Sequence, residues 1–238
     1  MKIATWNIGS LYKNLESYFN ILSKQITSTC PDILCLQEFT GDLTLSKAIY
    51  DELGYPYQNF TMLSNNHEMD GTPSGFTMLS KFPFQFMAYF PLRNPDIHYI
   101  YNGCEERTYN KGFAKYIIDL RGDPVTLVTG HGIPFHRCQV SEFHYSDIYH
   151  SLDEWIAESI EETKEWAIAA DFNTDSLSQL CPQIFLSGSD CVGAPTRANG
   201  HKHDYIILPS GVKIHHTMNV LGEFDHNYCC VEFDWRDR

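Results

Sequence analysis

The chain alternates short apolar runs with small polar clusters, and each cluster comes at the end of a strand-like run. Short apolar runs bounded by polar or turn residues, such as 33–35 and 166–170, are typical of buried strands. Polar groups at strand ends can converge on one rim of a sheet without entering its core, so we expect the clusters to meet there. The clusters are Thr5-Trp6-Asn7, Leu36-Gln37-Glu38, Gly130-His131, Asp171-Phe172-Asn173, His203-Asp204-Tyr205 and Asp225-His226.

Helical periodicity separates the predicted strands. The apolar residues of the first helical segment recur at helical spacing, and Pro31 ends it. A second helix is predicted over residues 45–53, with Gly54 as its C-cap. The helical positions of the first segment are Leu15, Tyr18, Phe19, Leu22 and Ile26, and those of a third are Ile148, Leu152, Trp155, Ile156 and Ile160.

Further apolar stretches predict strands at residues 76–80, 112–119, 125–130, 205–208 and 227–233. Mixed strands and helices with long connections indicate sheets covered by helices on their outer faces. Residues 89–109 and 135–145 are predicted as long loops, which tend to be functional and could wall a substrate cleft. No linker, repeat or low-complexity tract divides the sequence, so residues 1–238 are predicted to form a single domain.

Composition narrows the classes of partner. A net charge of −13, with only 17 Lys and Arg, argues against tight, non-specific wrapping of nucleic acid. The negative charge does not exclude a phosphate ester as the substrate, since bound divalent cations would invert the local electrostatic field. The start is not a signal peptide, no segment reaches the roughly 20 apolar residues of a membrane span, and the cysteines lack paired spacing. We therefore expect a cytoplasmic monomer with reduced thiols, buried at Cys35, Cys229 and Cys230.

Two of the polar residues suit a metal ion. Glu38 follows a predicted strand, and a carboxylate there is a hard oxygen ligand suited to Mg²⁺. Asn7 could bind the same ion or its waters. Taken singly, Glu38 could equally be a surface acid and Asn7 a turn cap.

Acid/base chemistry is the second theme. Asp171 could orient or deprotonate a water, and Asn173, two residues on and so on the same strand face, could donate to a phosphate oxygen. His131 lies between two glycines, which allow close approach of a ligand. The alternatives are an Asx turn after Asp171 and a capped strand end at His131.

The last third of the chain offers an imidazole with acidic neighbours. Asp204, Asp225 and His226 suggest an Asp–His pair that orients the imidazole and favours its charged form, although a surface turn would explain them too. Lys111 could touch a phosphate, as could Lys115, with solvated lysine as the alternative. His136, His144 and His150 lack metal-binding spacing and are interpreted as loop or surface residues. A zinc site is disfavoured because no Cys or His partners follow at zinc-finger spacing; its candidate ligands would be His201, His203, His215 and His216.

Taken in order, these clusters resemble the endonuclease/exonuclease/phosphatase family, the DNase I-like hydrolases. Each motif is short, but seven of them in the correct order and spacing are specific to that family. The motifs are Thr-Trp-Asn (5–7), Pro-Asp-Ile-Leu-Cys-Leu-Gln-Glu (31–38), Ser-Gly-Phe-Thr-Met-Leu-Ser-Lys (74–81), Val-Thr-Gly-His (128–131), Ala-Asp-Phe-Asn-Thr (170–174), His-Asp-Tyr-Ile (203–206) and Phe-Asp-His (224–226).

The resemblance implies a four-layer α/β sandwich, in which two packed mixed β-sheets are flanked by helices and the site lies at one rim. It also implies that Glu38 is the main Mg²⁺ ligand, that Asn7 is a ligand or the neighbour of one, and that Asp225 is a further carboxylate on the metal side. Some members carry an acid where this chain has Gly9, so the number of metals stays open.

The other roles follow from the same resemblance. Asp171 is similar to the residue that aligns or activates water, and Asn173 to the phosphate-binding amide. His226 resembles the phosphate-binding acid/base histidine, with Asp204 as its orienting partner. His131 fills a position that holds histidine in the DNase I-like, sphingomyelinase-like and inositol phosphatase-like branches.

The sequence thus predicts a phosphoesterase that depends on Mg²⁺, which Mn²⁺ could replace. It is expected to act as a phosphodiesterase or nuclease, and Lys111 is expected to bind the substrate. The alternatives are a phosphomonoesterase for a small phosphorylated molecule or phosphoinositide, and an inactive binding module of the same fold. A calcineurin-like metallophosphatase would need Asp-x-His where the chain has Asn7-Ile8-Gly9. The expected substrate is a nucleic-acid end or lesion, or a small phosphate ester, stacked on Tyr99, Tyr101, Tyr109 or Phe135.

Overall fold

Fourteen strands account for most of the regular structure that the computed structural model describes, at residues 1–9, 15–41, 43–66, 72–101, 103–221 and 224–235. They are β1 (Lys2–Asn7), β2 (Ile33–Thr40), β3 (Tyr57–Asn66), β4 (Thr72–Ser80), β5 (Phe84–Pro91), β6 (His98–Tyr101), β7 (Cys104–Arg107), β8 (Gly112–Leu120), β9 (Asp123–His131), β10 (Glu165–Asp171), β11 (Gly188–Asp190), β12 (Asp204–Pro209), β13 (Lys213–Val220) and β14 (Tyr228–Asp234).

The described helices are α1 (Leu15–Thr29), α2 (Leu43–Leu53), α3 (Ser146–Glu161), α4 (Leu177–Leu180) and α5 (Ile184–Ser187), with a short 3-10 helix at Glu142–Tyr145. The three longer helices confirm the periodicity seen in the sequence. Gly54 follows α2 with a φ of +72°, a left-handed conformation that suits glycine at a helix C-terminus. No helix within the described ranges is long and apolar enough to cross a membrane.

The strands form two six-stranded mixed sheets and a separate two-stranded hairpin of β6 and β7. The first sheet has the order β13-β14-β1-β2-β4-β3, and the second β11-β12-β10-β9-β8-β5. In each sheet the central pair is parallel: β1 with β2, and β9 with β10. Register places Asn7 beside Gln37 in one sheet, and Asp171 beside both His131 and Asp204 in the other.

The two sheets pack face to face, and helices cover their outer faces. Ile3 and Ile33 of the first sheet share one buried cluster with Leu127 of the second. On the outer sides, Leu22 of α1 packs with the first sheet and Leu152 of α3 with the second. The layers are therefore helix, sheet, sheet and helix, which confirms the predicted four-layer α/β sandwich.

The sequence pattern located the buried strands and missed strands at the sheet edges. Every apolar stretch predicted as a strand corresponds to one, but the edge strands β3, β5, β11 and β13 were not predicted. The prediction of residues 89–109 as one long loop was wrong, since the segment contains the end of β5 and the β6–β7 hairpin. Most residues of β13 and of the hairpin strands are exposed or half-buried, so they carry no apolar run to signal a strand.

All cysteines lie within the described residues, and all are free thiols. Cys35, Cys229 and Cys230 are buried, as predicted, because each belongs to a strand packed in the core. Cys30 and Cys104 are exposed.

Candidate active site

A hydrogen-bonded group joins the two sheets at one rim. Asn7, the last residue of β1, donates from Nδ2 to Asp171 Oδ2 at 2.8 Å and to Glu38 Oε1 at 3.2 Å. Asp171 ends β10 of the opposite sheet, so a single amide links carboxylates on different sheets. Asn7 Oδ1 accepts from the Gly9 N–H at 3.1 Å, which fixes the orientation of the amide.

Glu38 reaches this rim through a β-bulge, not from a strand end. Strand β2 continues to Thr40, and its pairing with β4 shifts register between Gln37 and Phe39. Glu38 has a φ of +54° there, and the side chain is 17% exposed. A bulge residue can re-aim its side chain away from the strand's alternation. The predicted strand end at Glu38 was therefore wrong, although its carboxylate does lie at the rim.

Positive groups surround the Glu38 carboxylate. Burial would raise its pKa, but His131 and the cations Lys111 and Arg137 outweigh burial and hold the pKa well below its usual range. Glu38 Oε1 lies 3.9 Å from His131 Nε2. The side chain is accordingly an anion at neutral pH, which is the form that ligates a cation.

Asp171 is fully buried and is suited to accept a proton. Its Oδ1 accepts from the Asn173 N–H at 2.8 Å, and its Oδ2 lies 3.5 Å from His131 Nε2. Burial and the nearby charge of Asp204 raise the Asp171 pKa to about 7, despite the opposing charge of His226. A carboxylate with that pKa is matched to general-base work near neutral pH.

Asn173 reaches the site by a turn. Strand β10 ends at Asp171, and Asn173 has a φ of +56°, so the strand alternation we used to pair the two residues was wrong. The bond from its N–H to Asp171 Oδ1 makes an Asx turn, and its Nδ2 donates to the Gly132 carbonyl at 3.0 Å. Gly132 is required here, since a Cβ would lie 2.3 Å from the Phe172 carbonyl oxygen. The role of Asn173 toward phosphate stays a prediction.

Asp204 and His226 form the expected pair. Asp204 Oδ2 lies 2.8 Å from His226 Nδ1, and both residues are buried. Thr196 Oγ1 accepts from the backbone N–H groups of His203 and Asp204, which fixes the start of β12. Burial would lower the His226 pKa, but Asp204 and Asp171 raise it to about 9, so the imidazole is charged at neutral pH.

This pair predicts a pH dependence of folding stability. The folded pKa of about 9 lies above the unfolded value of about 6.5, so the stabilisation is complete below about pH 6.5 and is lost as pH rises through 9. The unfolding free energy of the wild type, relative to His226→Gln, should fall by at most about 1.4 kcal/mol per pH unit in that window. Urea unfolding between about pH 6 and 10 measures it. A constant difference across this range, or the same decline in Asp204→Asn, would contradict the assignment.

Lys111 and His131 complete the inner site. Lys111 Nζ lies 3.0 Å from His131 Nδ1. Burial lowers the Lys111 pKa to about 8, although Glu38 and Asp171 oppose that change. Burial and Lys111 also lower the pKa of His131, which favours its neutral form. Lys115, the other candidate, pairs instead with Glu162.

Asp225 lies outside this hydrogen-bonded group. Its side chain is 50% exposed, and Oδ2 accepts from Arg197 NH2 at 2.7 Å. Its described polar contact is thus with a cation, and its role as a metal ligand stays a prediction.

Three cationic or imidazole groups beside the site escaped the sequence reasoning. Arg137, Arg197 and His136 belong to loops, and no motif marks them. His136 Nε2 lies 3.2 Å from Arg197 NH1. The interpretation of His136 as a loop residue was correct for its backbone but missed this contact, which joins positions 61 residues apart.

The aromatic residues expected to stack on a substrate differ in their burial and contacts. Phe135 is fully buried and stacks on Tyr145 with ring centroids 4.8 Å apart, so its proposed contact with substrate was wrong. Tyr109 donates to Glu106. Tyr101 is partly exposed, and the Arg137 guanidinium lies 5.3 Å from its ring centroid.

The chemistry of these donors fits a hard divalent cation. Glu38 is anionic, Asp171 lies on the other side of the same amide, and both face His131. In addition, Asp204 Oδ1 is buried without a hydrogen-bond partner among the described residues. Oxygen ligands of this kind are those that Mg²⁺ prefers. In the part of the chain that the structure describes, two carboxylate–histidine groups have ligand atoms within 4.8 Å of one another: Asp171, Asp204 and His226, and Asp175, His201 and His203.

Comparisons with known proteins agree with this fold. A sequence profile of the Endonuclease/Exonuclease/phosphatase family matches residues 4–220. No curated protein matches the chain in sequence. Among solved structures, the chain is similar to the human Nocturnin catalytic domain with bound sulfate anion, at 16% identity and a TM-score of 0.69, covering 98% of this chain and 94% of that one.

Two further structures share the fold. D. rerio TDP2 complexed with single strand DNA product is 16% identical, with a TM-score of 0.65 over 99% of each chain. A mannosyl-6-phosphatase from Bacteroides thetaiotaomicron VPI-5482 is 13% identical, with a TM-score of 0.66 over 99% of this chain and 100% of that one.

Proposed function

The chain belongs to the endonuclease/exonuclease/phosphatase family of hydrolases, and from that premise we propose that it is a Mg²⁺-dependent phosphodiesterase, with Mn²⁺ able to replace Mg²⁺. The observation that carries the proposal is the Asn7 amide, which holds the anionic Glu38 and the proton-accepting Asp171 together. The charged Asp204–His226 pair lies beside them, since His226 Nδ1 is 3.9 Å from Asp171 Oδ2.

Glu38 and Asn7 are the residues proposed to hold the cation, with Asp225 on the same side. The bound ion would neutralise charge on the phosphoryl oxygens of the ester. Asn7 serves this arrangement by orienting the Glu38 carboxylate. Gly9 stands where some members of the family carry an acid, so the proposal leaves the number of cations open.

The protein's own side chains supply the proton transfers. Asp171 takes a proton from the attacking water, because burial raises its pKa to about 7. His226 is protonated at neutral pH, stabilises the added negative charge and can give its proton to the leaving oxygen. Lys111, His131 and Asn173 are proposed to hold the phosphoryl oxygens from the opposite side.

A phosphomonoesterase is the second candidate function. Lys111 and Arg137 are both close enough to Glu38 for their positive charges to lower its pKa. Such a concentration of cations suits the dianionic phosphate of a monoester. The similarity of the fold to a mannosyl-6-phosphatase is compatible with a phosphomonoesterase. The similarity to TDP2 complexed with a DNA product is likewise compatible with a phosphodiesterase.

A turnover screen with Mg²⁺ tests the proposal. We expect release of product from a generic aryl phosphodiester and from short single strands, with little cleavage of an intact duplex, because the net charge of −13 opposes binding to several backbone phosphates. The monoester analogue with the same aryl group separates the two candidate functions. Absence of Mg²⁺-dependent turnover on all these esters would contradict both.

A further inference from the structure

A cluster of cationic and imidazole side chains borders the catalytic residues on one side. His136 and Arg137 come from the loop after β9, and Arg197 and His203 come from the segment before β12. The His136 and His203 rings lie 4.7 Å apart, and the His203 and His226 rings 6.0 Å apart. The cluster is thus continuous with the catalytic histidine.

Arg197 is held in place with part of its donor capacity unused. Its NH2 pairs with Asp225 at 2.7 Å, while NH1 faces His136 Nε2 at 3.2 Å and His203 Nδ1 at 3.5 Å. The side chain is only 13% exposed, and its Nε is buried without a hydrogen-bond partner among the described residues. The ion pair with Asp225 therefore fixes the Arg197 guanidinium beside the two imidazoles.

Arg137 adds a second guanidinium near His136. It lies 5.3 Å from the Tyr101 ring centroid, and the carboxylates of Glu38 and Asp225 act on it electrostatically. Arg137 and Arg197 both act on His136, whose pKa burial and these two charges lower to about 4. His136 therefore interacts with both guanidinium groups, while part of the residue is exposed to solvent.

A cluster of arginines is unusual in this acidic chain. The protein has 30 acidic residues against 17 Lys and Arg, yet two of its arginines converge beside the site. Guanidinium groups bind phosphate through charge-assisted, often bidentate hydrogen bonds. The acidic groups that face the cluster are Glu38, whose carboxylate acts on Arg137, Asp225, which pairs with Arg197, and Asp175, which pairs with His201.

We propose that His136, Arg137 and Arg197 form a subsite for a second phosphate group, so that the preferred substrates carry a phosphate next to the one that is cleaved. The inference rests on the proposed function and specifies its substrate class. The second phosphate belongs either to a nucleic-acid backbone or end, or to a small bisphosphorylated molecule. Both offer the same anion to the subsite.

Equilibrium binding without metal tests the subsite separately from catalysis. Isothermal titration calorimetry in EDTA would compare a thymidine dinucleotide with and without a terminal phosphate, and a nucleoside bisphosphate with its monophosphate. In at least one pair, the additional phosphate should tighten binding by about tenfold. The pair that shows the difference identifies the source. Equal affinities within both pairs would overturn the proposal, whether or not the enzyme turns over any ester.

Variants assign the gain to the subsite. Arg137→Met and Arg197→Lys should each remove most of the tenfold difference without changing affinity for the probe that lacks the extra phosphate. Arg93→Met is the matched control, because Arg93 is also paired with an aspartate, at 2.7 Å from Asp147, but lies on the exposed surface. Retention of the difference in both subsite variants, or equal loss in the control, would contradict the assignment.

Discussion

Glu38→Ala is expected to lower Mg²⁺-dependent hydrolysis by a factor on the order of 10² or more, while the protein stays folded. The reason is that Glu38 is the anionic oxygen donor at the rim, set there by a bulge and outside the apolar core. Its loss also leaves the Asn7 amide with one carboxylate partner instead of two. Steady-state turnover of an aryl phosphodiester with Mg²⁺ or Mn²⁺ measures the effect, and circular dichroism checks the fold.

Two further variants make this test specific. Glu38→Gln preserves the shape and the left-handed backbone position but removes the charge, so it should lose nearly as much activity. Glu158→Ala removes an exposed acid from α3 and should leave the rate unchanged. If Glu38→Ala or Glu38→Gln retained more than a tenth of the wild-type rate, Glu38 would not be the metal ligand.

The buried strands were predictable because their signal is local. The apolar runs in β1, β2, β9 and β10 are buried on both faces of the sheet. This is expected for central strands, which have a partner strand on each edge and whose faces are covered. The edge strands β5 and β13 are largely half-buried or exposed, so their residues follow no such pattern. Patterning detects burial, and a strand that is weakly buried leaves little trace in the sequence.

The candidate site was predictable to the extent that strands carry it. The family resemblance paired Asp204 with His226, and the 2.8 Å contact between their side chains confirms that they meet. The bulge at Glu38 was not foreseeable, because it depends on the register between β2 and β4 and not on residue type. The contact of Arg197 with His136 likewise depends on how two distant loops pack, and a single arginine or histidine in a loop gives no periodic signal.

The Asp204–His226 pair makes the other large expected effect. His226→Ala and Asp204→Ala should each reduce the rate by on the order of 10² or more, the range for positioned acid/base groups. Asp204 acts through His226, because its Oδ2 lies 2.8 Å from the ring nitrogen and it raises the imidazole pKa. The double variant should therefore cost about as much as His226→Ala alone, as residues acting as a unit do.

A double-mutant cycle on kcat/KM measures this coupling, with the exposed pair of His215 and Asp234 as the matched control. That pair has the same chemistry, at 2.6 Å, but lies on edge strand β13 and the end of β14. His215→Ala and Asp234→Ala should leave the rate unchanged, singly and together. Because Asp204 is buried, Asp204→Asn should be compared by thermal unfolding to separate lost orientation from lost folding. Strictly additive losses at Asp204 and His226 in folded variants would show that the two residues work separately, and the orienting role of Asp204 would then be wrong.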